Sequence, residues 1–188
     1  MIFKKFDAFI TRISSLKTMF LFLGFYMLFN AVILPNSESE INRLAHKEIG
    51  VVDLTFGYNP DRTVQMINGY GPESAAYYIN SEMFTDAIYP VIYAFFYGII
   101  LSLLYKKKEL LWIRMLPFIA MIFDFLENIS IIYLLENTPI IISKTVHLCE
   151  IFKLLKWSIF GLIIILILIA LLRLLKNKLV KTSVSARN

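Results

Sequence analysis

The sequence predicts an all-α membrane protein: a four-span helix bundle with both termini cytoplasmic and a helical extracytoplasmic lid between the first two spans. Three observations carry this. The 188-residue chain is 58% hydrophobic and only 18% charged, whereas a soluble domain is roughly 45–50% apolar and ~25% charged. The apolar residues gather in four blocks, about 18–34, 84–105, 111–135 and 153–172, each near the ~20 residues that cross ~30 Å of hydrocarbon. Backbone polar groups must be satisfied within such a span, which makes each block a helix. The charged residues between the blocks also segregate by sign, which orients them.

Residues 1–17 read as an amphipathic helix. Phe3, Phe6, Phe9, Ile10 and Ile13 recur at helical spacing, opposite Lys4, Lys5 and Arg12, as suits a helix lying in the membrane interface or against a partner. The apolar run that follows is longer than the ~7–15 residues of a signal-peptide core. It ends in Ile33-Leu34-Pro35-Asn36 without a small-x-small cleavage site, so it is expected to stay as a signal anchor. The loop 35–83 is too long and too apolar to be a simple connector. Glu38 to Glu48 can form a polar helix, and Val51 to Tyr58 has strand-like or extended character. Asn59-Pro60 is a helix start, with Asn59 as cap and Pro60 at the first helical position. That helix should stop at Gly69. Gly71-Pro72-Glu73 repeats the start signal, and the chain can then stay helical into the second span, bent at Pro90. The domain expectation is one membrane domain over 1–175 and a flexible basic tail over 176–188.

The net charge of +5 has a sided distribution. Lys4, Lys5, Arg12 and Lys17 precede the first span; Lys106, Lys107, Lys108 and Arg114 lie between the second and third; Arg173, Lys176, Lys178, Lys181 and Arg187 follow the fourth. The 35–83 loop is net acidic. This positive-inside pattern places the termini in the cytoplasm and the loop outside, in a plasma (inner) membrane. The basic segments then face anionic lipid rather than nucleic acid. Membrane lipids are the expected partners, with a protein partner at the outer loop as a second expectation. One cysteine, Cys149, excludes an internal disulfide, a CxxC pair and a thiolate zinc site. No cofactor or metal is expected, although Asp86, Asp124, Glu127, His147 and Glu150 together contain the donor types a mixed site would use.

The polar residues inside the spans point to the site. Asp124, Glu127 and Asn128 interrupt the third span. A carboxylate near the bilayer centre costs at least ~2.5 kcal/mol, so such residues face a partner, a cavity or a ligand. Asp124 and Asn128 share a helix face, with Glu127 beside them. On the second span Asp86, Tyr89, Tyr93 and Tyr97 form one face. On the fourth, Lys153 and Lys156 are the expected counter-ions for Glu127 and Asp124. The polar groups of all four helices sit in their outer halves, which describes a charge-paired cavity open outward and closed below. The expected ligand-binding residues are Asp124, Glu127, Asn128, Asp86, Tyr89, Tyr93, Lys153 and Lys156. The same residues also fit a purely structural role, tying the third helix to the fourth.

Asp53-x-x-Phe56-Gly57-Tyr58, Asp86-x-x-Tyr89-Pro90, Asp124-x-x-Glu127-Asn128 and Lys153/Lys156-Trp157 occur in that order. Over residues 50–172 this resembles a group of uncharacterised small four-span membrane proteins, and the resemblance implies no activity. The expected function is binding of a lipid or small amphiphile in the cavity. The alternatives are a non-catalytic assembly subunit, or an enzyme using Asp124 and Glu127 as acid and base. No nucleophile elbow, His–Ser or His–Cys pair or HExxH occurs, so no catalytic residue is assigned. A channel or transporter is disfavoured by the apolar inner half and the lack of an inverted repeat.

Overall fold

The computed structural model describes residues 2–106 and 110–185. Lys107, Lys108 and Arg187 of the basic clusters lie outside the described residues. Seven α-helices are described: α1 Ile2–Ile13, α2 Leu16–Leu28, α3 Leu34–Ala45, α4 Pro60–Gly69, α5 Gly71–Leu104, α6 Leu111–Glu136 and α7 Ser143–Ser185. No strand occurs among the described residues. Four helices are long and apolar enough to cross a membrane: Leu16–Ala45, Gly71–Leu104, Leu111–Glu136 and Ser143–Lys178.

The first of these is longer than its apolar block because Pro35 does not end it. Proline has no N–H to give the carbonyl four residues back. The chain absorbs this with a π turn over Phe29–Ile33, where the Leu34 N–H bonds the Phe29 carbonyl, and α3 continues to Ala45. Ser15 caps α2 with a hydrogen bond from the Thr18 N–H, 3.2 Å. Helix α5 has 34 residues, about 51 Å at 1.5 Å per residue, so it overshoots the ~30 Å hydrocarbon core by several turns. Helix α7 stays helical through Ser185, across residues 176–185 of the expected flexible tail.

The long helices pack in the order α2, α5, α6, α7, which leaves α2 and α7 at the two ends of an arc. Gly98 makes room on α5 for Phe118 of α6: a Cβ there would meet the Phe118 ring at 2.9 Å. Helix α1 is fastened to the start of α6. Ile10 is fully buried and Phe6 meets Phe118 edge-on at 4.8 Å. Arg114 grips both Asp7 oxygens at 2.6 and 2.7 Å and donates to the Tyr105 carbonyl at 2.6 Å. Phe3 and Phe9 remain exposed.

At the other end, residues 34–70 pack over the bundle. Ile41, Val52, Met66, Ile67 and Tyr70 share a core with Tyr78, Ile131, Leu134 and Cys149. Helix α4 begins where the sequence signal places it, with Asn59 Oδ1 accepting from the Arg62 N–H at 3.1 Å. The stretch expected to be strand-like or extended is an extended segment with a 3-10 turn at Val52–Leu54. It has no strand to pair with, and side chains take its backbone groups. The Val52 N–H donates to the Tyr78 hydroxyl at 2.9 Å, and the Gly50 and Asp53 carbonyls accept from Tyr70 and Trp157 at 3.0 and 3.3 Å. Gly50 and Gly57 bracket the segment with φ of 76° and 84°, in the left-handed region that favours glycine.

Candidate functional site

A cavity of about 740 Å³ lies between α2 and α7, backed by α5 and α6, with Val51, Asp53, Leu54, Phe56 and Gly57 adding to its wall. On α7 its lining runs from Leu154 to Ile164, about 15 Å of helix. Its polar part is lined by Glu38, Asp53, Ser81, Asp86, Asp124 and Lys156. Its apolar part is lined by Tyr26, Tyr89, Tyr93, Tyr97, Trp157 and Phe160, with Gly161 and Ile164 at the α7 edge. Helical spacing produces this wall: Asp86, Tyr89, Tyr93 and Tyr97 are three or four residues apart on α5 and so share a face.

Lys156 is the pivot of the charged part. Its Nζ lies 2.6 Å from Glu127 Oε2 and 3.3 Å from Asp124 Oδ1, and all three residues are buried. Tyr93 donates its hydroxyl to Asp124 Oδ2 at 2.8 Å, so Asp124 is held from α5 and α7 together. A buried ion pair survives only where hydrogen bonds and counter-charge offset desolvation; here one lysine serves two carboxylates. Lys156 also stands over the Trp157 ring, 5.7 Å from its centroid, a cation–π arrangement.

The predicted site residues divide into two groups. Asp86, Tyr89, Tyr93, Asp124 and Lys156 line the cavity. Glu127, Asn128 and Lys153 do not. Lys153 is not the counter-ion of Glu127 or Asp124; it pairs with Glu150, one turn earlier on its own helix, and donates to Thr55 Oγ1 at 2.5 Å. Glu150 also accepts from the Asn59 N–H at 2.5 Å and the Thr63 hydroxyl at 2.7 Å. Lys153 and Glu150 therefore clamp α4 and its approach to α7. His147 meets Tyr58 nearby, Nδ1 to hydroxyl 2.5 Å.

Asn128 performs a backbone task. Pro90 leaves the Asp86 carbonyl without its helical N–H. Asn128 Nδ2 supplies the missing donor from α6 at 3.0 Å. Helix α5 thus stays continuous through Pro90, and the bond locks α5 to α6 beside Asp86.

Two acids at the site escaped the sequence reading. Asp53 lines the cavity and accepts from the Tyr78 hydroxyl at 3.0 Å. Glu82 is 2% exposed, and neither of its carboxylate oxygens has a hydrogen-bond partner. Asp53, Asp86, Asp124 and Glu127 all lie near enough for their charges to act on it. In the sequence Asp53 stands as a landmark of the family resemblance and Glu82 reads only as loop charge, and neither is expected at the site. Tyr70, between α4 and α5, has its hydroxyl pK pushed upward, first by burial and then by the Asp53 charge, so it serves as a hydrogen-bond donor to the segment and not as an anion. No three His, Cys, Asp or Glu side chains lie close enough to hold a metal ion among the described residues.

No protein-family model, curated protein or solved structure matches this chain, in keeping with a resemblance that carries no assigned activity.

Proposed function

We propose that the chain is a multi-pass membrane protein with both termini cytoplasmic, whose cavity occupies the outer half of the bundle and holds a lipid or small amphiphile. The observation that carries this reading is the cavity itself. Its volume of about 740 Å³ sits within the ~300–1,000 Å³ of small-molecule sites, which are apolar and aromatic with a few convergent polar groups. Charged groups and aromatic rings both line it, and Gly161 and Ile164 extend the lining along α7 without polar side chains, which suits an amphiphile. The sided charge of the sequence supports the orientation, and residues 34–70 act as the outer lid. Because α2 and α7 are the ends of the helix arc, the cavity between them opens sideways toward the acyl chains.

An enzyme using Asp124 and Glu127 as acid and base would need both at the ligand. Asp124 lines the cavity while Glu127 does not, and both share Lys156, so that pair favours binding over proton transfer. Native mass spectrometry of the protein released from its own membrane tests the reading. A stoichiometric small molecule or lipid that survives detergent exchange, and is lost in Tyr89→Ala, is the expected result. A bare wild-type chain under the gentlest conditions that keep it folded would sink it.

A further inference from the structure

Resting on the cavity reading, we propose that the cavity selects an amphiphile with a cationic head, an organic ammonium group. Asp86 is its principal anionic partner, Asp53 and Glu38 stand alongside, and its tail lies along Tyr97, Phe160 and Ile164.

Four carboxylates line the cavity, Glu38, Asp53, Asp86 and Asp124, against the single lysine Lys156. That lysine is committed to Asp124 and to Glu127 behind the wall. Of the other cations, Lys153 is engaged with Glu150, Arg43 with Glu40, and Arg114 with Asp7 at the far end of the bundle; Arg62 shares a neighbouring depression with Glu38, which leaves Asp86 and Asp53 as the acids farther from a counter-charge. Asp86 accepts a hydrogen bond from Ser81 at 3.2 Å on one oxygen; its other oxygen has no hydrogen bond among the described residues. Asp53 has Tyr78 as its side-chain partner and acts electrostatically on Asp86. Glu82, buried and without a hydrogen-bond partner, adds a further carboxyl just behind. Asp86, Asp53 and Glu38 are half-buried; carboxylates partly withdrawn from water without counter-charge are costly, and a cation brought by the ligand lowers that cost. An anionic head would add to the repulsion.

The walls suit an organic cation rather than a metal ion. The acids are not gathered into a metal-binding set among the described residues. Aromatic faces surround the place instead. Tyr89 stacks with Tyr26 and Phe29 at 6.1 and 5.9 Å and meets Tyr93 edge-on at 5.4 Å. Aromatic faces attract alkylammonium groups that carboxylates alone hold less selectively. On the facing α7 the Lys156 ammonium already lies over the Trp157 ring.

The test uses the full chain in nanodiscs of neutral lipid with Trp112→Phe, which leaves Trp157 as the sole tryptophan. Three probes share one brominated tail and carry trimethylammonium, hydroxyl or carboxylate heads. Bromine quenching of Trp157 reports occupancy of the cavity. The ammonium probe is expected to bind at least tenfold more tightly than the hydroxyl probe, with the carboxylate weakest. Asp86→Asn should bring the ammonium and hydroxyl probes within about threefold of each other, chiefly by weakening the ammonium probe, and Asp53→Asn should act the same way more weakly. The wild-type ranking decides the matter even where a variant fails to fold. Saturable binding of all three heads with equal affinity, or a preference for the carboxylate, overturns the cationic head and leaves the cavity reading standing. No saturable quenching by any probe overturns both.

Discussion

Gly161→Phe should close the cavity without harming the bundle. Gly161 lines the cavity from α7, and a Cβ there meets no atom within 4 Å. The added side chain therefore enters open space. Replacing glycine in a helix interior also gains about 0.5 kcal/mol of helix propensity. A phenylalanine buries roughly 150–250 Å² when enclosed. Taking about 100 Å² of that from the ligand's contact, at ~25 cal/mol/Å², costs the ligand about 2.5 kcal/mol, or roughly 70-fold in affinity. The assay pairs a quenching isotherm at Trp157 with thermal unfolding of the same ligand-free sample. The expected outcome is weakened binding with unfolding temperature equal to or above wild type. Unchanged affinity in a folded variant would refute the cavity as the binding place. A strongly destabilised variant would refute the claim that Gly161 faces open space.

Other perturbations address the supports of the site. Lys156→Met leaves Asp124 and Glu127 buried without their cation and should destabilise by about 3–5 kcal/mol; adding Asp124→Asn and Glu127→Gln should recover most of this in thermal melts. Asn128→Leu should cost about 1 kcal/mol by orphaning the Asp86 carbonyl. In a Pro90→Ala background the restored N–H should make that same change nearly silent, a coupling read by a double-mutant cycle. Gly98→Val should destabilise by about 1–3 kcal/mol, because its side chain meets Phe118, as followed by the unfolding midpoint. With Cys149 replaced by alanine, a cysteine at Asp61 should react with a membrane-impermeant maleimide in intact cells and one at Lys178 should not; the reverse labelling would invert the assigned topology.

Local signals made part of this legible. The Asn59-Pro60 and Gly71-Pro72 starts are local chemistry, and α4 and α5 begin there. The common face of Asp86, Tyr89, Tyr93 and Tyr97 follows from helical spacing alone. The placing of Lys156 against Asp124 and Glu127 follows from charge and depth. What sequence reasoning missed is non-local. Lys153 differs from Lys156 only in lying one turn nearer the 51–59 segment, and its partner Thr55 is 98 positions away. Asp53 is held by Tyr78 and Trp157, and neither contact leaves a periodic trace. Glu82 counted as exposed loop charge because it precedes the apolar block. The overshoot of α5 buries it. Asn128 looked like a ligand contact because its true partner is a backbone carbonyl freed by Pro90, on a different helix. Pro35 looked like a terminus, and a single π turn carried the helix past it.

The most direct test of the central claim is to locate the bound tail itself. A crystal of the protein with a brominated-tail amphiphile would place bromine by anomalous scattering. One ordered bromine site between α2 and α7, against Tyr97, Phe160 and Ile164, is the expected result. Bromine found only along the outward faces of the long helices, with none between α2 and α7, would contradict it.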